Sequence, residues 1–165
     1  MELTTLIISS TIALITGSVA TLLLTKWFEK TEGRRDLFAN AYKTVLAWEE
    51  MLNRVRRRSN NTTDVIQITN EFHELQKKLN YYQGIISVQS KWLGKSYSSL
   101  VKAIKDANSE LINEAWKKKP VKPTDDTKAY KHPDSSADKE KFLQDTRSWL
   151  SLFSMRKIAV WWRNK

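Results

Sequence analysis

The two histidines are the first side chains to consider for chemistry, and neither has a partner at a useful spacing. His73 falls within a predicted helix and His132 within a proline-containing segment. A zinc site needs several ligands at characteristic spacings, and the chain has no cysteine. The sequence also has no glycine-rich phosphate loop, nucleophile motif or paired-carboxylate motif. We therefore predict no enzyme, no catalytic residue, no cofactor and no metal site, and we interpret His73 as a partly exposed structural residue.

Basic side chains form the second group that could do chemistry, in a chain of net charge +10. They concentrate in two clusters, which comprise Arg54, Arg56, Arg57 and Arg58, and Lys117, Lys118 and Lys119. Such clusters contact nucleic acid, anionic lipid headgroups or acidic proteins. They are also found as plain solvated faces of basic proteins. Aromatic residues that would stack on bases are absent beside them, so sequence-specific RNA recognition is not predicted.

Small and hydroxyl side chains form a stripe in the uncharged N-terminal segment, residues 3–25, which contains nine Ser or Thr residues. The members of the stripe are Ser10, Ala13, Gly17, Thr21 and Thr25. Stripes of this kind let helices approach closely in lipid, which predicts self-association. The alternative is that each hydroxyl only bonds back to the carbonyl four residues earlier in its own helix. A single helix cannot enclose a channel, so a pore would need a ring of copies.

The uncharged segment is itself predicted to be a membrane-spanning helix. A helix over residues 3–25 reaches roughly 34 Å, enough for a hydrocarbon core of about 30 Å. The main alternative is a cleaved signal peptide, because Ser18-Val19-Ala20 resembles a cleavage site. Against it, no basic residue precedes the apolar run, and the run continues through Leu22, Leu23 and Leu24.

Charge and aromatic residues around this segment predict its orientation. All 28 Lys and Arg residues follow it, with four of them close behind, and only Glu2 precedes it. The positive-inside rule then places the N-terminus outside a bacterial inner membrane and the rest in the cytoplasm. Trp27 and Phe28 are expected at the headgroup level. Trp161 and Trp162, in a basic amphipathic C-terminus, are expected on the inner leaflet, against a neighbouring copy, or within their own bundle.

The remaining periodicity is helical throughout, and no strand pattern is present. Apolar stripes predict helices near residues 35–57, 64–92, 96–116 and 138–163, with a polar proline-containing loop at 117–138. Gly33 marks either a bend or a position that the helix runs straight through. Thr62 or Thr63 is the predicted N-cap of the second helix, and Gly94-Lys95-Ser96 the stop before the third. We predict an all-α protein: a transmembrane helix in residues 1–26 and a cytoplasmic four-helix bundle in 27–165.

This plan of an uncharged span followed by a basic helical bundle resembles the small membrane accessory proteins of type VI-B CRISPR systems, the Csx group with a divergent HEPN-like bundle. The resemblance implies an oligomeric inner-membrane pore that compromises the membrane and enhances RNA-guided antiphage defence. It implies membrane lipid, further copies of the chain and an RNA-guided effector or its RNA products as partners, and no small-molecule substrate.

One feature of the HEPN-like ribonucleases is missing from the chain. Those enzymes use an Arg followed four to six residues later by a His, and neither His73 nor His132 has an Arg at that distance before it. Membrane action is therefore the part of the resemblance that we expect to hold. The alternatives are a membrane-tethered adaptor whose basic bundle recruits a partner protein, and a membrane-tethered HEPN-like ribonuclease.

Overall fold

The computed structural model describes the backbone of residues 2–120 and 134–151, and within them every side chain except those of residues 2–20, 23, 24 and 27. In these ranges the chain forms four α-helices and no strand, which confirms the predicted all-α class. The helices are α1 (Glu2–Arg56), α2 (Thr62–Gln89), α3 (Lys91–Lys117) and α4 (Ser136–Leu150).

Helix α1 joins two segments that the sequence analysis treats as separate helices. It includes Gly33, so of the two predicted alternatives at that glycine the uninterrupted helix is found. The chain divides into two compact units, Met1–Asp36 and Leu37–Lys165. The predicted division between residues 26 and 27, with a membrane helix before it, stays a prediction.

No helix has a stretch long and apolar enough to cross a membrane among the residues whose side chains the structure describes. The predicted span, residues 3–25, lies mostly outside those residues. Within it, only the side chains of Thr21, Leu22 and Thr25 are described.

The second unit is built around two clusters of buried apolar side chains. The larger cluster centres on Tyr97, Leu100 and Ile104 of α3, and it receives side chains from the three other helices: Phe38, Ala41 and Val45 from α1, Leu79 and Ile86 from α2, and Phe142 from α4. The smaller cluster contains Leu52, Val55, Ile68, Ile112 and Ala115. Burial of these side chains stabilises the unit, because each Å² of apolar surface removed from water contributes about 25 cal/mol of free energy.

The turn between α2 and α3 lies four residues before its predicted position. The Ser90 N–H donates to the Ile86 carbonyl at the end of α2, and the Ser90 hydroxyl accepts from the Leu93 N–H at the start of α3. The predicted stop at Gly94 is wrong, because Gly94 is a buried helical residue. A Cβ atom there would lie 2.8 Å from the Ser87 Cα, so the glycine permits close packing of α2 on α3.

Helix α2 also begins two residues before its predicted start at residue 64. The cap is Asn61, whose side-chain oxygen accepts from the Thr63 N–H at 3.1 Å, rather than Thr62 or Thr63. Asn is as good an N-cap as Thr, because its short side chain reaches the same orphan N–H groups. The predicted helix 138–163 begins at Ser136 and is helical to Leu150; residues 152–163 lie outside the described part.

Polar contacts fix α4 to two other helices. The Lys139 ammonium lies 2.7 Å from one carboxylate oxygen of Glu49 on α1 and 2.9 Å from the other, and the Ser135 hydroxyl also donates to Glu49. On the α3 side, the Ser96 hydroxyl donates to the buried Asp145 carboxylate at 2.8 Å. Each buried charge in this region therefore has a hydrogen-bond partner, as burial requires.

Candidate functional site

The fold brings the two predicted basic clusters together. Arg54 and Arg56 lie in the last turn of α1, and Arg57 and Arg58 follow it. Lys117 ends α3, Lys118 is its C-cap, and Lys119 follows the cap. The contact between them is direct, because the Arg58 guanidinium donates to the Lys118 carbonyl at 2.7 Å. We call these seven residues the basic end.

Arg58 holds the helix ends in place. Its guanidinium donates to the carbonyls of Val55, Ala115 and Trp116 at 2.9, 2.9 and 3.0 Å, in addition to Lys118. It also lies over the Trp116 ring, 5.1 Å from the centroid. The last carbonyls of a helix have no partner in the helix and attract cations. Arg58 therefore caps α1 and α3 together, and its role is structural.

Arg54 ties the same end of α1 to α2. Its guanidinium hydrogen-bonds the Asp64 carboxylate and lies 3.4 Å from Glu71. The hydrogen bond from Arg54, with a second from the Ser59 N–H, lowers the pKa of Asp64 from 3.8 to about 2. Arg54 is thus a paired residue of the α1–α2 contact, and the interpretation of a merely solvated basic face does not describe it or Arg58.

A cavity of about 180 Å³ lies between the ends of α1 and α3. Its apolar lining consists of Leu52, Leu111 and Ala115, and its charged lining of Arg56, Glu114, Lys118 and Lys119. Glu114 and Lys118 form a salt bridge of 3.1 Å. The lining therefore combines apolar side chains with three cations and one carboxylate.

Of the residues that line the cavity, Arg56, Lys118 and Lys119 were predicted from the sequence as site residues, whereas Leu52, Leu111, Glu114 and Ala115 were not. The three apolar residues belong to the stripes that predict the helices. A sequence signal for the site exists in the basic residues that end both helices, since two C-terminal turns rich in cations can meet when the helices lie side by side. Whether the ends of α1 and α3 do lie side by side depends on the course of α2 between them.

The predicted association face is described only in part. The side chains of Ser10, Ala13 and Gly17 lie outside the described residues. Thr21 and Thr25 are exposed, and the Thr25 hydroxyl donates to the Thr21 carbonyl at 3.0 Å. At Thr25, the hydroxyl therefore bonds back to its own helix, which is the alternative to helix association given above.

The predicted membrane-interface residues are described at one position only. Phe28 is 61% exposed. Trp27, Trp161 and Trp162 lie outside the described side chains, as does the predicted loop between residues 121 and 133, with His132 in it.

His73 lies exposed on α2, and residues 2–120 and 134–151 contain no group of His, Asp and Glu side chains that could hold a metal ion within their described part. Burial lowers the pKa of Lys105, whose ammonium lies 4.8 Å from the Trp48 ring centroid and donates to Gln76. Lys105 therefore joins α3 to α1 and α2 in a partly buried polar contact.

Comparison of the chain with protein-family models, with curated proteins and with solved structures finds no match in any of the three.

Proposed function

We propose that this chain is a single-span membrane protein of the bacterial inner membrane, with its N-terminus outside and its helical bundle in the cytoplasm. The observation that supports this is that α1 includes every residue of the uncharged segment 3–25. A helix satisfies its own backbone hydrogen bonds, which is the condition for crossing lipid. The 28 Lys and Arg residues, all after the segment, support the orientation.

The proposed activity is self-association through the small-residue stripe into a pore that compromises the membrane. At the spacing of an ideal helix, the sequence pattern assigns Ser10, Ala13, Gly17, Thr21 and Thr25 to one face and Ile8, Ile12, Ile15 and Val19 to the opposite face. A helix that serves only as a tether does not need this asymmetry. Cooperation with an RNA-guided effector in phage defence, and a HEPN-like origin of the bundle, rest on the resemblance described above.

The test replaces the stripe with bulky side chains. The double variant Gly17→Leu/Thr21→Leu should be unable to bring helices close together and should lose both the oligomer and the leakage of dye from proteoliposomes. Oligomeric state is measured in mild detergent by native mass spectrometry and negative-stain imaging. The matched control, Ile15→Leu/Val19→Leu, adds the same residue type to the other side and should keep both properties.

Two results would contradict this proposal. A wild-type protein that stays monomeric at high concentration in mild detergent excludes the pore. A Gly17→Leu/Thr21→Leu variant that keeps both assembly and leakage excludes the stripe as the contact surface.

A tethered adaptor is the second candidate, and the bond from the Thr25 hydroxyl to the Thr21 carbonyl favours it. A hydroxyl satisfied inside its own helix does not need a neighbouring helix or water. In this function the basic bundle recruits a partner protein and the membrane helix only holds it in place. Replacing residues 3–25 by polyleucine distinguishes the two: an adaptor stays active at normal expression and localisation, whereas a pore protein does not.

A further inference from the structure

We propose that the end of the bundle at which α2 turns into α3 docks on the surface of the membrane and contacts anionic lipid headgroups. The residues that would make this contact are Tyr81 and Val88 of α2 and Lys91 and Lys95 of α3, which we call the turn surface. The inference rests on the proposed membrane span and adds a second contact between the same protein and lipid.

Two apolar side chains of the turn surface are exposed to solvent. Val88, two residues before the turn at Ser90, is 89% exposed, and Tyr81 is 61% exposed. They are seven residues apart, which is two helical turns, so they lie on the same side of α2. Single exposed apolar residues are common on protein surfaces, and the charge around these two therefore decides what they can contact.

The charge around the turn surface has one sign. Residues 75–105, which form the second half of α2 and the first half of α3, contain no Asp or Glu. Lys91 and Lys95 are exposed on one side of α3, and neither has an ion pair within the part of the chain that the structure describes. Asp145 of α4 lies beside Ser96, but it is buried and does not face solvent. Exposed lysines beside apolar side chains are typical of surfaces that contact anionic lipid.

The turn surface is at the end of the second unit that the chain enters from the predicted span. The Tyr97 hydroxyl of α3 donates to the Ala41 carbonyl of α1 at 3.3 Å, so α3 begins beside the part of α1 that starts this unit at Leu37. The opposite ends of the two helices meet at Arg58. From Thr25, the last residue of the uncharged segment, to Leu37 the helical backbone is about 18 Å long. A membrane-spanning segment would therefore hold this end, and not the basic end, near the headgroups.

Helix α4 runs towards the same end of the bundle. Its residue Lys139 pairs with Glu49 in the middle of the bundle, whereas Asp145 accepts from Ser96 near the start of α3. Residues 152–165, which follow the described part, contain four basic residues, two tryptophans and no Asp or Glu. This composition is typical of segments at the headgroup level. The sequence that leaves this end thus has the same charge and apolar character as the turn surface.

An acidic protein would also complement lysines beside exposed apolar side chains, but the location of the turn surface favours lipid. A protein partner does not need to bind at the end where the chain enters the bundle, whereas a membrane that holds the predicted span reaches that end first. Lysine side chains also neutralise headgroups as flexible point charges, without the fixed geometry that a protein interface requires.

The experiment measures the distance of Val88 from lipid. The chain has no cysteine, so a single introduced cysteine reports on one position. Full-length Val88→Cys with a bimane label is reconstituted in phosphatidylcholine nanodiscs, with or without phosphatidylglycerol, that contain lipid with a nitroxide next to the headgroup. The nitroxide should quench the label, and phosphatidylglycerol should increase the quenching at least about twofold, because anionic lipid attracts the lysines.

Two further labelled positions serve as controls. Ile66→Cys is the matched control, because Ile66 is also an exposed apolar residue, lies on the same side of α2 and is about 33 Å from Val88 along the helix. Its label should not be quenched in either type of nanodisc. Leu22→Cys lies in the predicted span and tests the proposed function separately. Its label should be quenched by a nitroxide on the acyl chains, with or without phosphatidylglycerol.

Charge variants in the Val88→Cys background test the role of the lysines. Lys91→Gln/Lys95→Gln should remove most of the increase in quenching that phosphatidylglycerol causes. Lys117→Gln/Lys119→Gln removes the same charge at the other end of α3 and should leave that increase unchanged. All four lysines are exposed, so neither double variant is expected to unfold the bundle.

The outcomes separate this inference from the proposed function. Quenching at residue 22 without quenching at residue 88 overturns the docking of the turn surface and leaves the membrane span intact. Absence of quenching at residue 22 contradicts the span, and this inference with it. A blue shift of the label at residue 88 without quenching indicates that a protein covers the turn surface, which also overturns lipid contact. Equal effects of the two lysine double variants would show that only the net charge matters.

Discussion

The contact between α1 and α4 and the basic end of the bundle use charge in opposite ways. At the α1–α4 contact, Glu49 and Lys139 neutralise one another, and both side chains are largely buried, with 11% and 22% exposed. At the basic end, Arg58 donates to four backbone carbonyls, which carry no net charge. One region is therefore held by a buried pair of opposite charges. The other is held by a cation that bonds neutral helix ends.

A count of basic residues does not distinguish their contributions to stability. Removing a cation that bonds helix-end carbonyls or a buried carboxylate should reduce stability, whereas removing an exposed cation such as Lys119 should leave stability nearly unchanged. The following substitutions test the distinction, beginning with the largest expected effect on stability.

Arg58→Ala should give the largest loss, about 2–3 kcal/mol of unfolding free energy, because four carbonyls lose a charged donor and the contact with Trp116 is lost. Arg58→Lys should recover only a part of this, since an ammonium lacks the planar fork of donors. The measurement is urea unfolding followed by circular dichroism. Lys102→Ala, at an exposed position of α3, is the control and should change stability by less than about 0.5 kcal/mol.

A loss below about 0.5 kcal/mol in Arg58→Ala would mean that water replaces the guanidinium at the helix ends without cost. Arg58 would then contribute no more to stability than an exposed cation does, and its hydrogen bonds to the helix ends would not be structural.

Glu49→Gln should cost about 1–2 kcal/mol, because it leaves the Lys139 ammonium partly buried without a carboxylate. The control is Glu74→Gln, in the exposed pair of Glu74 and Lys77, where 59% and 73% of the side chains are exposed. Exposed pairs contribute little, so that variant should lose less than about 0.5 kcal/mol. Equal losses in both variants would show that burial does not decide the strength of these pairs.

Asp64 should make the unfolding free energy depend on pH in the acid range. Its pKa in the folded protein, about 2, is below the ordinary value of 3.8, so the folded state favours the ionised form. The resulting stabilisation is complete above pH 4 and is lost as the pH falls towards 2. Unfolding measured from pH 7 to pH 2 should lose part of this dependence in Asp64→Asn. An unchanged acid dependence in the variant would place its origin in other carboxylates.

The helices of the bundle could be predicted from sequence because their apolar residues recur at helical spacing. Phe38, Val45 and Leu52 on α1, and Leu100 and Ile104 on α3, recur at this spacing and are buried. Val65 has the same helical spacing to Ile68, but it is exposed, whereas Ile68 is fully buried. It lies in the first turn of α2.

Boundaries depended on tertiary contacts that a sequence pattern does not contain. Glycine is typical of helix ends, but Gly94 lies inside α3, where it allows the backbone of α2 to pack closely at Ser87. Ser90 is both the C-cap of α2 and the N-cap of α3. The sequence therefore has no polar loop between the two helices that would mark the boundary.

The basic residues of the site could be predicted individually, but their grouping could not. Arg58 and Lys118 are separated by 60 positions, and only the antiparallel course of α2 between α1 and α3 makes them neighbours. The apolar lining had no signal of its own, because Leu111 and Ala115 belong to an ordinary helical stripe. A sequence pattern shows which residues are charged, but the partners that make Arg58 structural are backbone carbonyls, which every residue has.

Lys119→Gln should have the smallest effect on stability and therefore gives the sharpest comparison with Arg58→Ala. Lys119 is exposed and follows the last residue of the α3 cap, so its loss should change the unfolding free energy by less than about 0.5 kcal/mol. Both residues place a cation at the same end of the bundle, so the two variants separate the effect of charge from the effect of hydrogen bonds to the helix ends. Thermal unfolding of both variants beside the wild-type protein measures the difference. If Lys119→Gln lowers the Tm as much as Arg58→Ala does, Lys119 is also a structural cation, and the bonds to the helix ends are not what distinguishes Arg58.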